Sequence, residues 1–154
     1  LGGKFLTVEG ETNLETEGGY AKEASEDFKK KQEDLLTETL KKIDIIICTA
    51  LIPGKKAPVI ITEEMINNMQ SGSVIYDLAA VQGGNTAFTK ADSIINKGGV
   101  RIMGETNILN KLSVSASSLY AKNVFNFVSN LYDKESNKIN INLEDEIIEK
   151  TLIK

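Results

Sequence analysis

The sequence predicts an α/β fold built around a parallel sheet, and two observations support this. Short, β-branched and nearly continuous apolar runs occur at residues 44–48, 73–79 and 99–103. Strands that are covered on both faces of a sheet have this composition. Amphipathic helical patterns alternate with these runs, and strands and helices in this order and spacing favour parallel strands joined by right-handed crossovers.

Two further segments have strand character. Residues 3–8 read Gly-Lys-Phe-Leu-Thr-Val, which we interpret as a fourth strand. Residues 137–154 alternate weakly between polar and apolar side chains before turning acidic. We expect this tail to include a strand that lies outside the main sheet.

Three helices are expected around the strands. Residues 21–42 place apolar side chains near one face, and several acidic residues precede a basic residue by four positions. A second helix begins at Thr62, a suitable N-cap, and ends before Gly72. A third covers 115–132, where apolar residues follow i, i+3, i+4, i+7 spacing. The residues expected to face the core from the second helix are Met65, Ile66 and Met69.

Composition excludes several function classes. The 154 residues suit one domain, with 18 basic and 22 acidic residues, no His and one Cys. The absence of His excludes a Ser-His triad and His-ligated zinc within this segment, and a single Cys excludes an internal disulfide. The net charge of −4 does not suit non-specific nucleic-acid binding. No basic-then-apolar leader is visible in the sequence, which gives no sign of a secretory signal. Because the chain starts at Leu1 rather than Met, we interpret it as a piece of a longer protein.

The loop after the strand at 44–48 is the first candidate for function, because ligands of open parallel sheets bind outside the carboxyl ends of the strands. Residues 49–58 hold both prolines of the chain, which makes this loop rigid. The small side chains of Thr49 and Ala50 would let a flat ring or a ribose approach the backbone. The alternative is a stiff connector without ligand contacts.

Two more loops follow the next strands. Gly-Gly-Asn at 83–85 allows positive φ and exposes backbone N–H groups, although a plain turn explains it equally well. Thr106 and Asn107 could hydrogen-bond a ligand amide or could cap their own loop. Cys48 lies within an apolar strand, so we interpret it as a packing residue rather than a reactive thiol.

The polar, Gly-rich segment 10–20 lies upstream of these loops. Gly18 and Gly19 could act as a hinge that lets Tyr20 swing over a ligand site, as mobile lids do. A disordered connector is the alternative, and composition alone favours it.

Several runs resemble one enzyme family. They read Gly-Gly-Tyr-Ala-Lys-Glu at 18–23, Asp-Ile-Ile-Ile-Cys-Thr-Ala-Leu-Ile-Pro-Gly-Lys at 44–55, Ile-Thr-Glu-Glu-Met at 61–65 and Leu-Tyr-Ala-Lys-Asn at 119–123. With the shorter runs between them, these resemble the α subunit of proton-translocating NAD(P) transhydrogenase over residues 3–132. Part of the run at 49–65 is shared with alanine dehydrogenase, which lacks the Gly-Gly-Tyr-Ala lid.

The resemblance implies a Rossmann-type NAD(H)-binding domain joined to a second lobe. In the family, NADH passes a hydride to NADP+ held on a different domain, and a membrane domain couples this to proton flow. It implies a homodimer, and a soluble domain of a membrane-bound enzyme on the bacterial cytoplasmic side or the matrix side of an organelle membrane. No catalytic side chain or metal ligand is expected here. The residues implied to bind NAD are Gly19, Tyr20, Thr49, Ala50, Leu51, Thr106 and Asn107.

The sequence also departs from the family. No GxGxxG occurs, so the first strands of the nucleotide fold and its phosphate loop are expected upstream of residue 1. The position before Thr106, often His in the family, is Glu105, and Leu109 to Lys111 replace a Pro-Ser-Arg run. We therefore expect residues 1–112 to be the C-terminal half of the NAD-binding domain. Residues 113–154 would be a long helix and tail that pack toward the second lobe.

Two other functions remain open from the sequence. An oxidoreductase similar to alanine dehydrogenase, acting on an amino acid, would share the run at 49–65. A non-catalytic assembly or dimer module, in which the helix at 115–132 packs on a partner, is favoured for the isolated piece by the missing pyrophosphate glycines.

Overall fold

The chain divides into two units, Leu1–Thr106 and Asn107–Lys154, in a computed structural model. The structure describes residues 2–8, 25–52 and 54–153. The lid residues Gly19 and Tyr20 therefore lie outside the described residues, as do 9–18 and 21–24. The expected domain boundary after residue 112 stays a prediction about the whole protein.

A four-stranded sheet forms the centre of the first unit. Its strands are β1 (Ile45–Cys48), β2 (Val74–Asp77), β3 (Ser93–Lys97) and β4 (Val100–Gly104), in the order β1-β2-β4-β3. The pairs β1–β2 and β2–β4 are parallel, which confirms the predicted α/β fold with a parallel sheet.

The antiparallel strand β3 is a feature that the sequence analysis missed. It pairs with β4 through a tight hairpin in which Lys97 lies opposite Val100. Gly98 and Gly99 form the connection, with φ of 60° and 87°. Two glycines between two apolar runs are a recognised hairpin signal, because both central residues of such turns need positive φ.

The prediction of a strand at 3–8 is wrong. Residues 2–8 form neither helix nor strand, and the Phe5 side chain is 91% exposed. A strand needs a neighbour to satisfy its backbone groups. The sheet of the described residues offers this segment none.

Two helices of the first unit flank the strands. Helix α1 (Glu26–Leu40) is capped by the Ser25 hydroxyl, which accepts the Phe28 N–H at 3.3 Å. Helix α2 (Glu63–Asn67) begins at Thr62, as predicted, and the Thr62 hydroxyl accepts the Met65 N–H at 3.3 Å. Beneath these helices lies a buried apolar core that comprises Leu40, Cys48, Ile61, Met65, Ile66, Met69, Ile75, Val100 and Ile102.

Strand β1 departs from the expectation of strands covered on both faces. Cys48 is buried, but Ile45 and Ile47 are 67% and 65% exposed. Ile45 and Ile47 lie on the face of β1 opposite to Cys48, and the described part of the chain leaves that face largely uncovered. The side chains on both faces of β1 are apolar, but only one face packs against the core.

The second unit is helical with a small hairpin. It contains α3 (Ile108–Lys111), α4 (Ser113–Asn130), α5 (Glu146–Thr151) and the two-residue strands β5 (Tyr132–Asp133) and β6 (Lys138–Ile139). The long helix predicted at 115–132 is therefore present. Its residues are all at least partly exposed, so its apolar stripe is not covered within the described part of the chain.

The expected strand of the tail is β6, which pairs with β5 of the same unit. None of the helices built from the described residues combines the length and the apolar character needed to cross a membrane.

Candidate functional site at the carboxyl edge of the sheet

The last residues of three parallel strands lie side by side. Cys48 is in register with Asp77, and Asp77 is in register with Gly104. The loops that follow these strands therefore begin at one edge of the sheet, as the sequence analysis expected. We call this edge, with the described residues of the three loops (49–52, 54–58, 78–85 and 105–106), the rim. A rim of this kind is where open parallel sheets bind ligands.

Asp77 is a fully buried carboxylate at the centre of the rim. One oxygen accepts the Ala79 N–H at 2.9 Å. The other accepts the Asn85 N–H at 2.6 Å and the Thr89 hydroxyl at 2.5 Å. A buried carboxylate is tolerated only when its oxygens are satisfied, and here they hold the segment 79–89 in place.

Asn85 is also fully buried, and its side chain reaches the loop that follows β1. Its Oδ1 accepts the Ala50 N–H at 3.0 Å, and its Nδ2 donates to the Ala50 and Pro58 carbonyls, each at 2.8 Å. Its own carbonyl accepts the N–H groups of Ile60 and Ile61 at 2.8 and 2.9 Å. One residue therefore joins the first and second loops of the rim.

The two glycines before Asn85 have a structural role. Gly83 ends a 3-10 turn (Ala80–Gln82) with φ of 100°, and Gly84 has φ of 84°. A Cβ at Gly84 would lie 2.3 Å from the Thr89 methyl and 2.7 Å from the Asp77 carboxylate. Of the two interpretations of the Gly-Gly-Asn run, this geometry favours the turn, which delivers Asn85 to the loop.

The sequence analysis missed this network. Asp77 lay inside the strand predicted at 73–79, and no separate role was assigned to Asp77, Asn85 or Thr89. The available signal was a carboxylate closing a buried strand, followed within ten residues by a Gly-Gly-Asn turn. Because buried polar residues need hydrogen-bond partners, this spacing indicates that the carboxylate and the asparagine of the turn are in contact.

The loop after β1 presents three of the predicted site residues together. Thr49 and Leu51 are exposed, and Ala50 is half-buried. Because the N–H and C=O of Ala50 are both bonded to Asn85, this residue offers a ligand its methyl group rather than its backbone. A small apolar surface beside a hydroxyl suits the edge of a ring or a ribose.

Thr106 and Asn107 follow β4, and the side chains of both form hydrogen bonds with other residues of the chain. The Thr106 hydroxyl donates to the Asp92 carboxylate, and the neighbouring Glu105 accepts the Tyr76 hydroxyl at 3.2 Å. Asn107 is exposed, belongs to the second unit and accepts the Asn110 amide at 2.5 Å. The Thr106 hydroxyl is therefore bonded to a segment 14 positions away, and the Asn107 side chain contacts the next helical turn without capping its helix.

Cys48 lies at the end of β1 and is buried. Burial, and secondarily the negative charge of Asp77, raise the pKa of its thiol to about 12. The thiol is therefore protonated at neutral pH, which favours the packing interpretation.

Two further observations concern metal ligands and the location of a cleft. Within residues 2–8, 25–52 and 54–153, no cluster of three or more His, Cys, Asp or Glu residues could hold a metal ion. A cleft of about 610 Å³ is lined by Val59 and Ile60, which follow the first rim loop, but by none of the predicted site residues. Its apolar lining includes Leu6, Val8, Leu35, Leu36, Val59 and Ile60.

Comparison with known proteins gives a consistent result. An NAD(P) transhydrogenase alpha-subunit protein of Rhodospirillum rubrum is 48% identical over 155 residues, which cover 99% of this chain and 40% of that protein. Alanine dehydrogenase 1 of Staphylococcus aureus is 33% identical over 103 residues, covering 64% of this chain and 28% of that protein. The chain thus spans well under half of these relatives.

A solved structure described as transhydrogenase from Sinorhizobium meliloti matches with a TM-score of 0.56 and 46% identity, over 62% of this chain and 29% of that one. The family described as alanine dehydrogenase/PNT, C-terminal domain, matches residues 1–154. These matches confirm the resemblance drawn from the sequence runs, and the chain belongs to the alanine dehydrogenase/PNT C-terminal domain family.

Proposed function

We propose that this chain forms part of the NAD(H)-binding domain of a proton-translocating NAD(P) transhydrogenase. The observation that carries the proposal is the rim, where three parallel strands end in register beside a preformed loop. Membership of a family named for alanine dehydrogenase and PNT, and similarity to transhydrogenase α subunits, support the choice of ligand and reaction.

In the proposed reaction, a hydride leaves the dihydronicotinamide of NADH with both electrons and joins the nicotinamide ring of NADP+. The products are NAD+ and NADPH, and the step requires no side-chain acid or base. The protein therefore contributes position and the exclusion of water. This agrees with a chain that has no His.

The roles of individual residues are part of the proposal. Thr49, Ala50 and Leu51 would line the adenosine and ribose side, and their position directly after β1, with Ala50 bonded to Asn85, supports this. Thr106 and Asn107 would lie near the nicotinamide. For Thr106 this requires that its hydroxyl exchange Asp92 for the ligand. Gly19 and Tyr20 would belong to the closing lid.

The proposed partners follow from the same assignment. They are NAD(H), an NADP-binding domain, a membrane domain and a second copy of the subunit. The domain would be soluble and face the bacterial cytoplasm or the matrix of an organelle. The exposed apolar face of β1 supports the presence of further structure against this edge of the sheet.

An oxidoreductase similar to alanine dehydrogenase is the second candidate, supported by the relative from Staphylococcus aureus. The higher identity and coverage of the transhydrogenase relative favour the first. The exposed stripe of α4 supports the third candidate, a non-catalytic assembly module.

Titration with NADH, followed by assays of two reactions, separates these candidates. The full gene product should bind NADH and, with the NADP-binding domain present, transfer its hydride to an NADP+ analogue, and should not oxidise L-alanine with NAD+. Alanine oxidation without transhydrogenation would indicate the second candidate. Calorimetry that shows no heat at millimolar NADH, with either the full gene product or this chain, would leave only the assembly module.

A further inference from the structure

Asn85 connects more segments of the rim than its neighbours do, yet the function proposed above gives it no role. Its side chain holds Ala50 and Pro58, which lie near the two ends of loop 49–58. The same loop is tied to the second loop of the rim by the Ala57 N–H, which donates to the Gln82 carbonyl at 2.8 Å. The shape of the loop that presents Thr49 and Leu51 therefore depends on Asn85.

Asn85 is itself held by its buried surroundings. Its N–H donates to the Asp77 carboxylate at 2.6 Å, and Asp77 also accepts the Thr89 hydroxyl. Gly84 turns the chain into this position with a φ that other residues rarely adopt. Neither Asp77 nor Asn85 is exposed, and among the described residues no buried side-chain polar atom lacks a partner.

We propose that Asn85, seated by Asp77, is a positioning residue that holds loop 49–58 in its dinucleotide-accepting shape before the ligand arrives. This inference rests on the proposed function. Without the Asn85 amide, the loop would populate other conformations, and NADH would bind only to the fraction with the correct shape. The apparent dissociation constant rises in inverse proportion to that fraction, so a fraction of about one tenth weakens binding about tenfold.

The test compares Asn85→Ala with Ser73→Ala in the full gene product. Ser73 is a matched control because it is also a buried polar residue, donating to the Ile43 carbonyl at 3.2 Å, but it precedes β2 at the opposite end of the sheet. We expect the Kd for NADH to rise about tenfold in Asn85→Ala and to change less than about twofold in Ser73→Ala. The kcat at saturating NADH should stay within about twofold in both, because the bound loop reaches the same shape.

A milder pair keeps the test decisive if Asn85→Ala does not fold. Thr89→Val removes the hydrogen bonds of this hydroxyl to Asp77 and to the Thr86 hydroxyl at nearly constant volume, and Thr89→Ser retains the hydroxyl. We expect Thr89→Val to weaken NADH binding in the same direction and Thr89→Ser to restore it. Hydrogen exchange of the Ala50 amide in the unliganded protein should accelerate in the same variants, since this N–H donates to Asn85.

The possible failures are distinguishable. A wild type that does not bind NADH overturns the proposed function, and the positioning role falls with it. A wild type that binds NADH while Asn85→Ala and Thr89→Val bind it equally well overturns only the positioning role. Equal weakening in Asn85→Ala and Ser73→Ala also overturns it, because the effect would then reflect general loss of stability.

Discussion

Gly84 is constrained in two ways in the rim, by its backbone conformation and by the side chains packed against it. Its φ of 84° is unfavourable for other residues, and the space for a Cβ is already occupied by Thr89 and Asp77. Both neighbours are tied by hydrogen bonds, so neither can move without cost. The structure of the rim is therefore sensitive to substitution of Gly84, although glycine has no side chain.

Gly84→Ala should lower the free energy of unfolding by about 2–4 kcal/mol, because backbone strain and overpacking add. Gly98→Ala is the matched control, since Gly98 also has positive φ but has no atom within 4 Å of the added Cβ. It should cost only about 1 kcal/mol. Urea unfolding measures both values, and equal losses would contradict the clash at Gly84.

Cys48 should affect stability at alkaline pH. The pKa of the thiol has its usual value of 9.0 in the unfolded chain, and burial raises it to about 12 in the folded state. Below pH 9 both states keep the proton and stability is unaffected. Between pH 9 and 12 only the unfolded state loses it, so the free energy of unfolding falls by up to about 1.4 kcal/mol per pH unit.

Cys48→Ala lacks this titration, so the stability difference between wild type and variant should shrink across that window. Urea unfolding from pH 8 to pH 10.5 measures it, and the subtraction removes the contribution of Lys and Tyr groups. A difference that does not change with pH would contradict a raised thiol pKa in the folded state.

Element boundaries in this chain follow local capping chemistry. Thr62 begins α2 by accepting the Met65 N–H, and Glu63 and Glu64 complement the positive end of the helix. This helix is only five residues long, but it supplies Met65 and Ile66 to the core. Its stability therefore depends on packing, with the cap fixing where it begins.

Thr62→Ala should lower the free energy of unfolding by about 1 kcal/mol, because the Met65 N–H loses its acceptor. Thr62→Ser keeps the hydroxyl and should lose much less. Urea unfolding of the two variants beside the wild type makes the comparison. If the serine variant were as unstable as the alanine variant, the loss would come from the methyl group and not from the cap.

Secondary-structure elements with a clear local sequence pattern were predictable, and elements that depend on pairing with another strand were not. The three parallel strands and helices α1, α2 and α4 were anticipated from apolar patterns and caps. Residues 3–8 have strand composition but find no neighbouring strand. The hairpin between β3 and β4 was missed although Gly98 and Gly99 marked it, because β3 mixes polar and apolar side chains and lacks the continuous apolar run of the other strands.

At the scale of the whole molecule, one edge of the sheet is uncovered. Ile45 and Ile47 on β1 are mostly exposed, and β1 has β2 as its only neighbour in the described sheet. An apolar, unpaired edge strand favours association with another chain. We therefore expect this 154-residue chain to self-associate when it is prepared alone.

Ile47→Lys should weaken that association at least about tenfold, since burying an isoleucine contributes about 1.5–3 kcal/mol and about 1.4 kcal/mol is tenfold. Sedimentation over a concentration series measures it. Ile75→Lys is the contrasting variant, because Ile75 is fully buried and its replacement should unfold the chain. A wild type that stays monomeric at high concentration would contradict this account of β1.

Composition, periodicity and motifs were enough to establish the α/β class, the start of α2 and the edge of the sheet where function is expected, and the resemblance of several sequence runs indicated the family. All of these are local properties of the chain, so they can be read without knowing how its segments pack. Three findings required the packed molecule: Asn85 joins the loops of the rim, Thr106 donates to Asp92, and one face of β1 is open. Asn85 and Ala50 are 35 positions apart. Hydrogen bonds between residues so far apart in sequence depend on how the strands pair, so no local sequence pattern predicts them.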